Sequence, residues 1–330
     1  MNQTSATSLG EDLRLDCRQN GQSAKAWLWW KDLPVLPGER LGVIGQFSAD
    51  GPDVAAALLK KAGQTLASQG CTMAVGPMDG STWHRYRFVT EPGTEPPYFP
   101  EPTNPPEWPL WWQKAGYDVL ASYTSTVADD LQRQDPRVDA VAERLRATGI
   151  AIRPLSLATF TDELSRIYDV SIESFQENYL YTPLPAEAFL GQYLPLQSRV
   201  EPELVLIAEK GSFPVGYVFA VPDFAQAGLG EKLDVIIVKT LAVRPGRACA
   251  GLGAWLLAEV HRSARALGFR RTIHALMHES NRSRNLSAHF ARTIRRYELL
   301  AKKLPSRLQR QPVRRVALHS EPEPFIPSIT

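Results

Sequence analysis

The stretch from Val235 to Leu257, VIIVKTLAVRPGRACAGLGAWLL, most constrains what this chain can fold into. An apolar run of strand character enters a loop holding Gly246, Gly251 and Gly253, and an amphipathic pattern follows at once. Leu256, Val260, Ala264 and Leu267 recur at helical spacing, Gly268 reads as a stop, and Thr272 to His278 reads as the next strand. Such an order builds an anion site. Glycines let the main chain approach a ligand closely, and unpaired N–H groups at a helix start point at it with the positive end of the helix dipole.

The same unit recurs near the other end. Leu41 to Phe47 reads as a strand, Asp50-Gly51-Pro52 as a turn and helix start, and Val54, Leu58, Ala62 and Leu66 as a helical stripe. Gly70 stops it, and Cys71 to Val75 reads as another strand. Two such units about 200 residues apart predict a duplicated domain rather than a solenoid. The 330 residues suit two domains.

Composition narrows the function classes. A net charge of +2 gives no global field favouring nucleic acid or a membrane surface. Cys17, Cys71 and Cys249 are scattered, which predicts a reducing compartment and no disulfide framework. The opening residues are polar and acidic, unlike a signal peptide, and the best apolar run is broken by Lys239. The expectation is a cytoplasmic protein.

Between the units lies a proline-rich segment, Glu91 to Pro109, read as an ordered wrap, followed by Trp111 and Trp112 packing with Trp108 onto a core. A helix is expected over Pro136 to Ala147, a strand over Ile150 to Leu155 and helices over Phe160 to Phe175 and Pro185 to Tyr193. Leu204 to Glu209 and Val215 to Val221 read as paired strands.

From Ile150 to Leu304, this order resembles the GCN5-related N-acetyltransferase (GNAT) superfamily: two helices, the hairpin LVLIAEKGSFPVGYVFA, the strand VIIVKTLAV, the glycine loop and helix, then a strand ending in HESN. The family loop reads Gln/Arg-x-x-Gly-x-Gly/Ala, and here Ala248, Gly251 and Gly253 hold those positions, with Arg247 beside the missing basic one. The first half looks like a degraded copy. Trp111 to Tyr123 is similar to the family's closing helix and strand, but the loop from Ser48 to Pro52 has no glycine pair. The resemblance implies an α/β (α+β) fold of two GNAT-like domains, each a mixed, mostly antiparallel sheet flanked by helices. Residues 1–135 would form the degenerate domain, 136–149 a linker helix and 150–330 the acyl-CoA-binding domain.

What the resemblance implies is acyl transfer from acetyl-CoA, or another acyl-CoA, to a small-molecule or peptide amine, by direct attack and without a metal. A non-catalytic acyl-CoA sensor or scaffold is the alternative. The carrier would lie along Leu241, Ala242, Val243, Arg247, Ala248, Cys249, Ala250, Gly251, Leu252, Gly253 and Ala254, with Asn281 touching it and Arg244 adding charge. Asp234, Asp223 and Glu279 are the candidate bases. No tyrosine lies between His278 and Ile294, so Ser287, with Ser283 and His289 near it, stands in for the family's acid. His274 and His278 would share a strand face, but no third ligand points to a metal. The arginines 282, 284, 292, 295 and 296 read as a solvated surface. The run Trp83 to Arg87 reads as packing between domains or as a pocket. Tyr179, Tyr181, Phe189 and Tyr193 favour a sizeable or apolar acceptor. No nucleic acid or membrane partner is expected, and the chain would be a monomer or homodimer.

Overall fold

The computed structural model describes residues 10–99, 101–132, 135–228, 233–280 and 290–305. The first half contains β1 (Leu13–Gln19), β2 (Gln22–Trp29), β3 (Leu41–Ala49), α1 (Pro52–Ser68), β4 (Met73–Gly76), β5 (Phe88–Glu91), α2 (Glu107–Lys114) and β6 (Asp118–Ala128). After α3 (Val138–Ala147) come β7 (Ile150–Pro154), α4 (Phe160–Phe175), α5 (Ala186–Tyr193), β8 (Val205–Lys210), β9 (Phe213–Pro222) and α6 (Phe224–Gly228). β10 (Val235–Val243), α7 (Leu252–Ala266), β11 (Arg271–His278) and β12 (Arg292–Lys303) follow.

All twelve strands join one sheet, in the order β1-β2-β3-β4-β12-β6-β11-β10-β9-β8-β7, with β5 on β12. Inward from either side the halves repeat: β1, β2, β3, β4 and β12 correspond in order to β8, β9, β10, β11 and β6. In each, the third and fourth strands are parallel and joined through a helix, α1 or α7. Every other pairing is antiparallel. Both crossovers cover the same face, as right-handed connections require when the strand directions reverse with the order.

The halves exchange their closing strands. β6 comes from the first half yet pairs with β11, while β12 comes from the second and pairs with β4. The two exchanged strands pair with each other at the centre. α3 lies within the 136–149 segment, and the sheet runs unbroken across that division, each half being completed by a strand of the other. Such a sheet has no cleavage plane, because separating the halves would strip ladder bonds from β6 and β12.

Apolar clusters fill both faces. Val54, Leu58, Ala62 and Leu66 of α1 pack with Ile44, Leu28 and Trp112. Leu252, Leu256 and Val260 of α7 pack with Ile236, Val238 and Val218. On the opposite face, α4 and α5 lay Leu164, Ile167 and Phe189 over Tyr217, Phe219 and Ala242. Val235 to Val238 are all buried, Ile236 and Val238 under α7 and Val235 and Ile237 under Tyr98 of the proline-rich segment, which explains the unbroken apolar run at the start of β10. The described residues of the proline-rich segment wrap against the sheet. Its Glu101 pairs with Arg295 and its Glu95 with Arg271 and Arg292. Arg295 is therefore a buried structural cation, not part of a solvated surface.

Candidate active site

β10 and β11 run parallel only as far as Val238 and His274. Beyond that pair they part. β10 carries a bulge against β9 between Val238 and Thr240, and β11 one against β6 between His274 and Met277. Leu276, a non-glycine residue with φ of 58°, makes the second kink, fastened by its N–H to the Ser125 hydroxyl at 3.0 Å. The result is a wedge-shaped gap between residues 239–243 and 275–278.

Which backbone groups face the gap follows from the ladder. Arg244 donates its N–H to the Val215 carbonyl at 2.9 Å. In an antiparallel pair, residues alternate between facing their partner and turning away. The register Ala242↔Tyr217 and Val243↔Gly216 then directs the Ala242 groups at β9. The N–H groups of Leu241 and Val243 turn the other way, into the gap.

The loop after β10 continues this row of donors. Gly246 (φ 128°) and Gly251 (φ 85°) adopt conformations that favour glycine, and Gly251 caps α7 in the left-handed region. Leu252 and Gly253, the first two helical residues, have no intrahelical carbonyl to bind. Other loop amides are already engaged: Cys249 donates to Gly246, Ala250 to Arg247, and Ala254 to Gly251. Of the segment expected to hold a phosphate, Leu241, Val243, Leu252 and Gly253 carry the outward-facing donors.

Side chains around the loop are less free. Arg244 is locked between Glu173, the Pro214 carbonyl and the Phe213 ring, which removes it as a phosphate ligand. Arg247 and Ala248 are exposed, and Arg247 makes no ion pair among the described residues. The linker helix closes on the loop from one side: Arg144 donates to the Ala250 carbonyl, and Val141 lies 2.7 Å from where a Cβ on Gly251 would stand. Burial raises the pKa of the Cys249 thiol despite Lys210 and Arg244 nearby, so it stays protonated.

Of the candidate bases, Asp234 lies away from the gap. It precedes the first residue of β10, on the far side of the parallel stretch from the gap, and its carboxylate accepts Gln226 Nε2 at 3.0 Å. Asp223 is buried beside it, with Oδ1 accepting from Phe99 and Ala225. Glu279 is exposed at the end of β11, past the splay, with its N–H on the Ser122 carbonyl. Asn281, Ser283, Ser287 and His289 lie outside the described residues.

The histidines pair differently from the strand-face expectation. The β11 kink sends His278 to the face opposite α7, where it stacks on Tyr179 and meets the edge of Tyr123. His274 meets His261 of α7. Their Nε2 atoms are 3.5 Å apart, the ring centroids 5.6 Å and the planes 8° from parallel, so the rings meet nitrogen to nitrogen, edge to edge. Burial holds both neutral, with pKa values pushed down to about 3 for His261 and about 4 for His274. Among the described residues no group of three or more histidine, cysteine or acidic side chains comes together as a metal site, and no helix is long and apolar enough to cross a membrane.

Residues 164–290 match the family model described as Acetyltransferase (GNAT) family. Protein YghO of Escherichia coli (strain K12) is 25% identical over 199 residues, covering 58% of this chain. The chain spans about half, 49%, of that protein. Among solved structures, the GCN5-related glucosamine N-acetyltransferase region of a fungal multi-domain GH3 beta-N-acetylglucosaminidase superposes with a TM-score of 0.53 at 12% identity, over 85% of this chain and 31% of that one. The GCN5-related N-acetyltransferase from Sphaerobacter thermophilus gives 0.48 at 16% identity, over 86% and 78%.

Proposed function

We propose, from the match of residues 164–290 to the acetyltransferase (GNAT) family model, that the chain is an acyl-CoA-dependent N-acyltransferase whose working site is the gap between β10 and β11. The observation that carries the reading is the splay after Val238 and His274, which turns the N–H groups of Leu241 and Val243 into open space beside a glycine-bent helix start. The donors fit a diphosphate at Leu252 and Gly253 and a thioester oxygen at Leu241. Acetyl-CoA supplies the activated acyl group. The chain holds the carrier, aligns the amine, and offers Leu241 N–H to the carbonyl oxygen as negative charge grows there. The amine nitrogen forms the new bond to the acyl carbon as the C–S bond breaks. Glu279 is the proposed base for the amine proton, and Ser287 the proposed donor to the departing sulfur. The acceptor is a small-molecule or peptide amine, and the protein acts in the cytoplasm as a monomer or homodimer.

A non-catalytic acyl-CoA sensor is the second reading, favoured by the grip of Val141 and Arg144 on the loop. Isothermal titration with acetyl-CoA, followed by thiol release over an amine panel, separates the two. Binding with turnover supports the transferase, and binding without thiol release on any amine supports the sensor. Absence of binding overturns both.

A further inference from the structure

The run Trp83 to Arg87 performs two tasks. Trp83 packs between the halves: its ring meets Phe175, Tyr181 and Phe189, and its Nε1 donates to the Thr182 carbonyl at 2.7 Å. Arg87 is different. It is 94% buried by its 6% exposure, yet no carboxylate pairs with it among the described residues. Its guanidinium carbon lies 3.7 Å from the Tyr86 ring centre and 4.0 Å from that of Tyr123, in the corner between two nearly perpendicular rings. Nη1 donates to the Leu276 carbonyl at 3.1 Å. Nε is buried and has no hydrogen-bond partner.

A guanidinium taken out of water without a counter-charge is costly, and ring faces offset only part of that cost. Arg295, the other buried arginine among the described residues, has its anion in Glu101. Position gives the unmatched charge a meaning. Leu276 is the kinked residue that opens the gap, two places after the last parallel pair. Arg87 reaches that kink on the face opposite α7, where Tyr123, Tyr179 and His278 cluster. Under the proposed function, the carrier's phosphates lie at the start of α7, and the acceptor enters from this other face.

We propose that Arg87 binds an anionic group of the acceptor, so that the substrate class is amines bearing a carboxylate, held with that carboxylate on the guanidinium and the nitrogen turned to the gap. This rests on the transferase reading for the identity of the ligand as an acceptor. The anion site itself rests on Arg87 alone. Planar guanidinium and carboxylate match two bonds to two oxygens, which also fixes the direction of the amine.

The test compares N-acetylated amino acids, as product analogues, with their carboxamides, by tryptophan fluorescence titration of the full chain. The carboxylates are expected to bind at least about tenfold more tightly, and Arg87→Met to erase the difference, as loss of a desolvated charge pair does. Arg87→Lys is expected to retain part of it. In turnover, free amino acids are expected to release thiol faster than their carboxamides, with the gap lost in Arg87→Met and acetyl-CoA affinity unchanged within about twofold. Equal binding of acid and amide by the unmodified protein, or no saturable binding of any acid, overturns the proposal without need of a variant. So does an Arg87→Met protein that keeps the preference. Failure of acetyl-CoA to bind while carboxylates still bind overturns the transferase reading and leaves the anion site standing.

Discussion

The two crossovers, β3-α1-β4 and β10-α7-β11, share topology and differ in what they do with the space between their strands. Parallel pairing ends at Val43↔Val75 in one and at Val238↔His274 in the other. Three residues on, Gln46 corresponds to Leu241. The Gln46 N–H is taken at 2.8 Å by Asp79 Oδ1, and the gap is sealed further by Met78 N–H on the Ile44 carbonyl at 2.9 Å. A Cβ on Gly45 would stand 2.2 Å from the Met78 carbonyl, so backbone meets backbone where the other half is open. The helix starts differ as well. α1 follows a two-residue turn, has Pro52 in place of its first N–H donor and Asp53 in its first turn, which repels an anion. α7 follows an eight-residue loop and has no acidic residue there. The two crossovers share a topology, and in the first a carboxylate and a shorter loop fill the space that the second leaves open.

Substitutions at the donors should produce the largest effects. Leu241→Pro removes an N–H outside the ladder, so the fold should persist while thiol release falls on the order of 100-fold. Val243→Pro should weaken acetyl-CoA about 10- to 100-fold by titration. The control is Ala242→Pro, which deletes a ladder bond to β9 and should lower the melting temperature instead. If all three behave alike, the assignment of which amides face the gap is wrong.

Asp79→Ala attacks the sealed half. It orphans the Gln46 N–H and should cost about 1–3 kcal/mol in urea unfolding. Burial raises the Asp79 pKa, and the Gln46 N–H is its principal hydrogen-bond donor. Titration should still count one acetyl-CoA per chain. A second site in this variant would show that Asp79 alone closes the first half.

Gly251→Ala should destabilise by about 1–3 kcal/mol, because it adds left-handed strain to a clash with Val141. At Gly246 nothing lies within 4 Å of the added Cβ, but its φ of 128° and ψ of 156° belong to a region that essentially only glycine occupies, so strain alone should cost about 1–3 kcal/mol.

A further effect concerns acid. His261 and His274 are neutral in the folded chain, with pKa values of about 3 and about 4, below the unfolded value of 6.5. The unfolded state therefore binds more protons, and stability falls as pH drops from about 6.5 toward 3. Replacing both by phenylalanine should flatten that slope in denaturation series, and an unchanged slope would show that other groups set it.

Continuous local patterns were legible in the sequence. β10 and α4 have the bounds their apolar periods predict, because both faces of the strand's first half and one face of the helix are buried. The strand exchange was not legible, since pairing between Asp118–Ala128 and Arg271–His278 leaves no mark in either segment. The β1–β2 hairpin was missed, although Asn20-Gly21 between two runs is a recognised turn signal, and both residues have positive φ. Asp234 reads as a candidate base because sequence shows proximity to a strand, not which end of that strand opens onto the gap. The kink at Leu276 has no glycine to announce it, so the separate destinations of His274 and His278 were hidden.

Amide hydrogen exchange with and without acetyl-CoA tests the contrast between the halves most directly. Fragments covering residues 240–253 should gain protection, while those covering residues 44–53 should not change. Protection of residues 44–53, or of neither segment at saturating acetyl-CoA, would contradict the account.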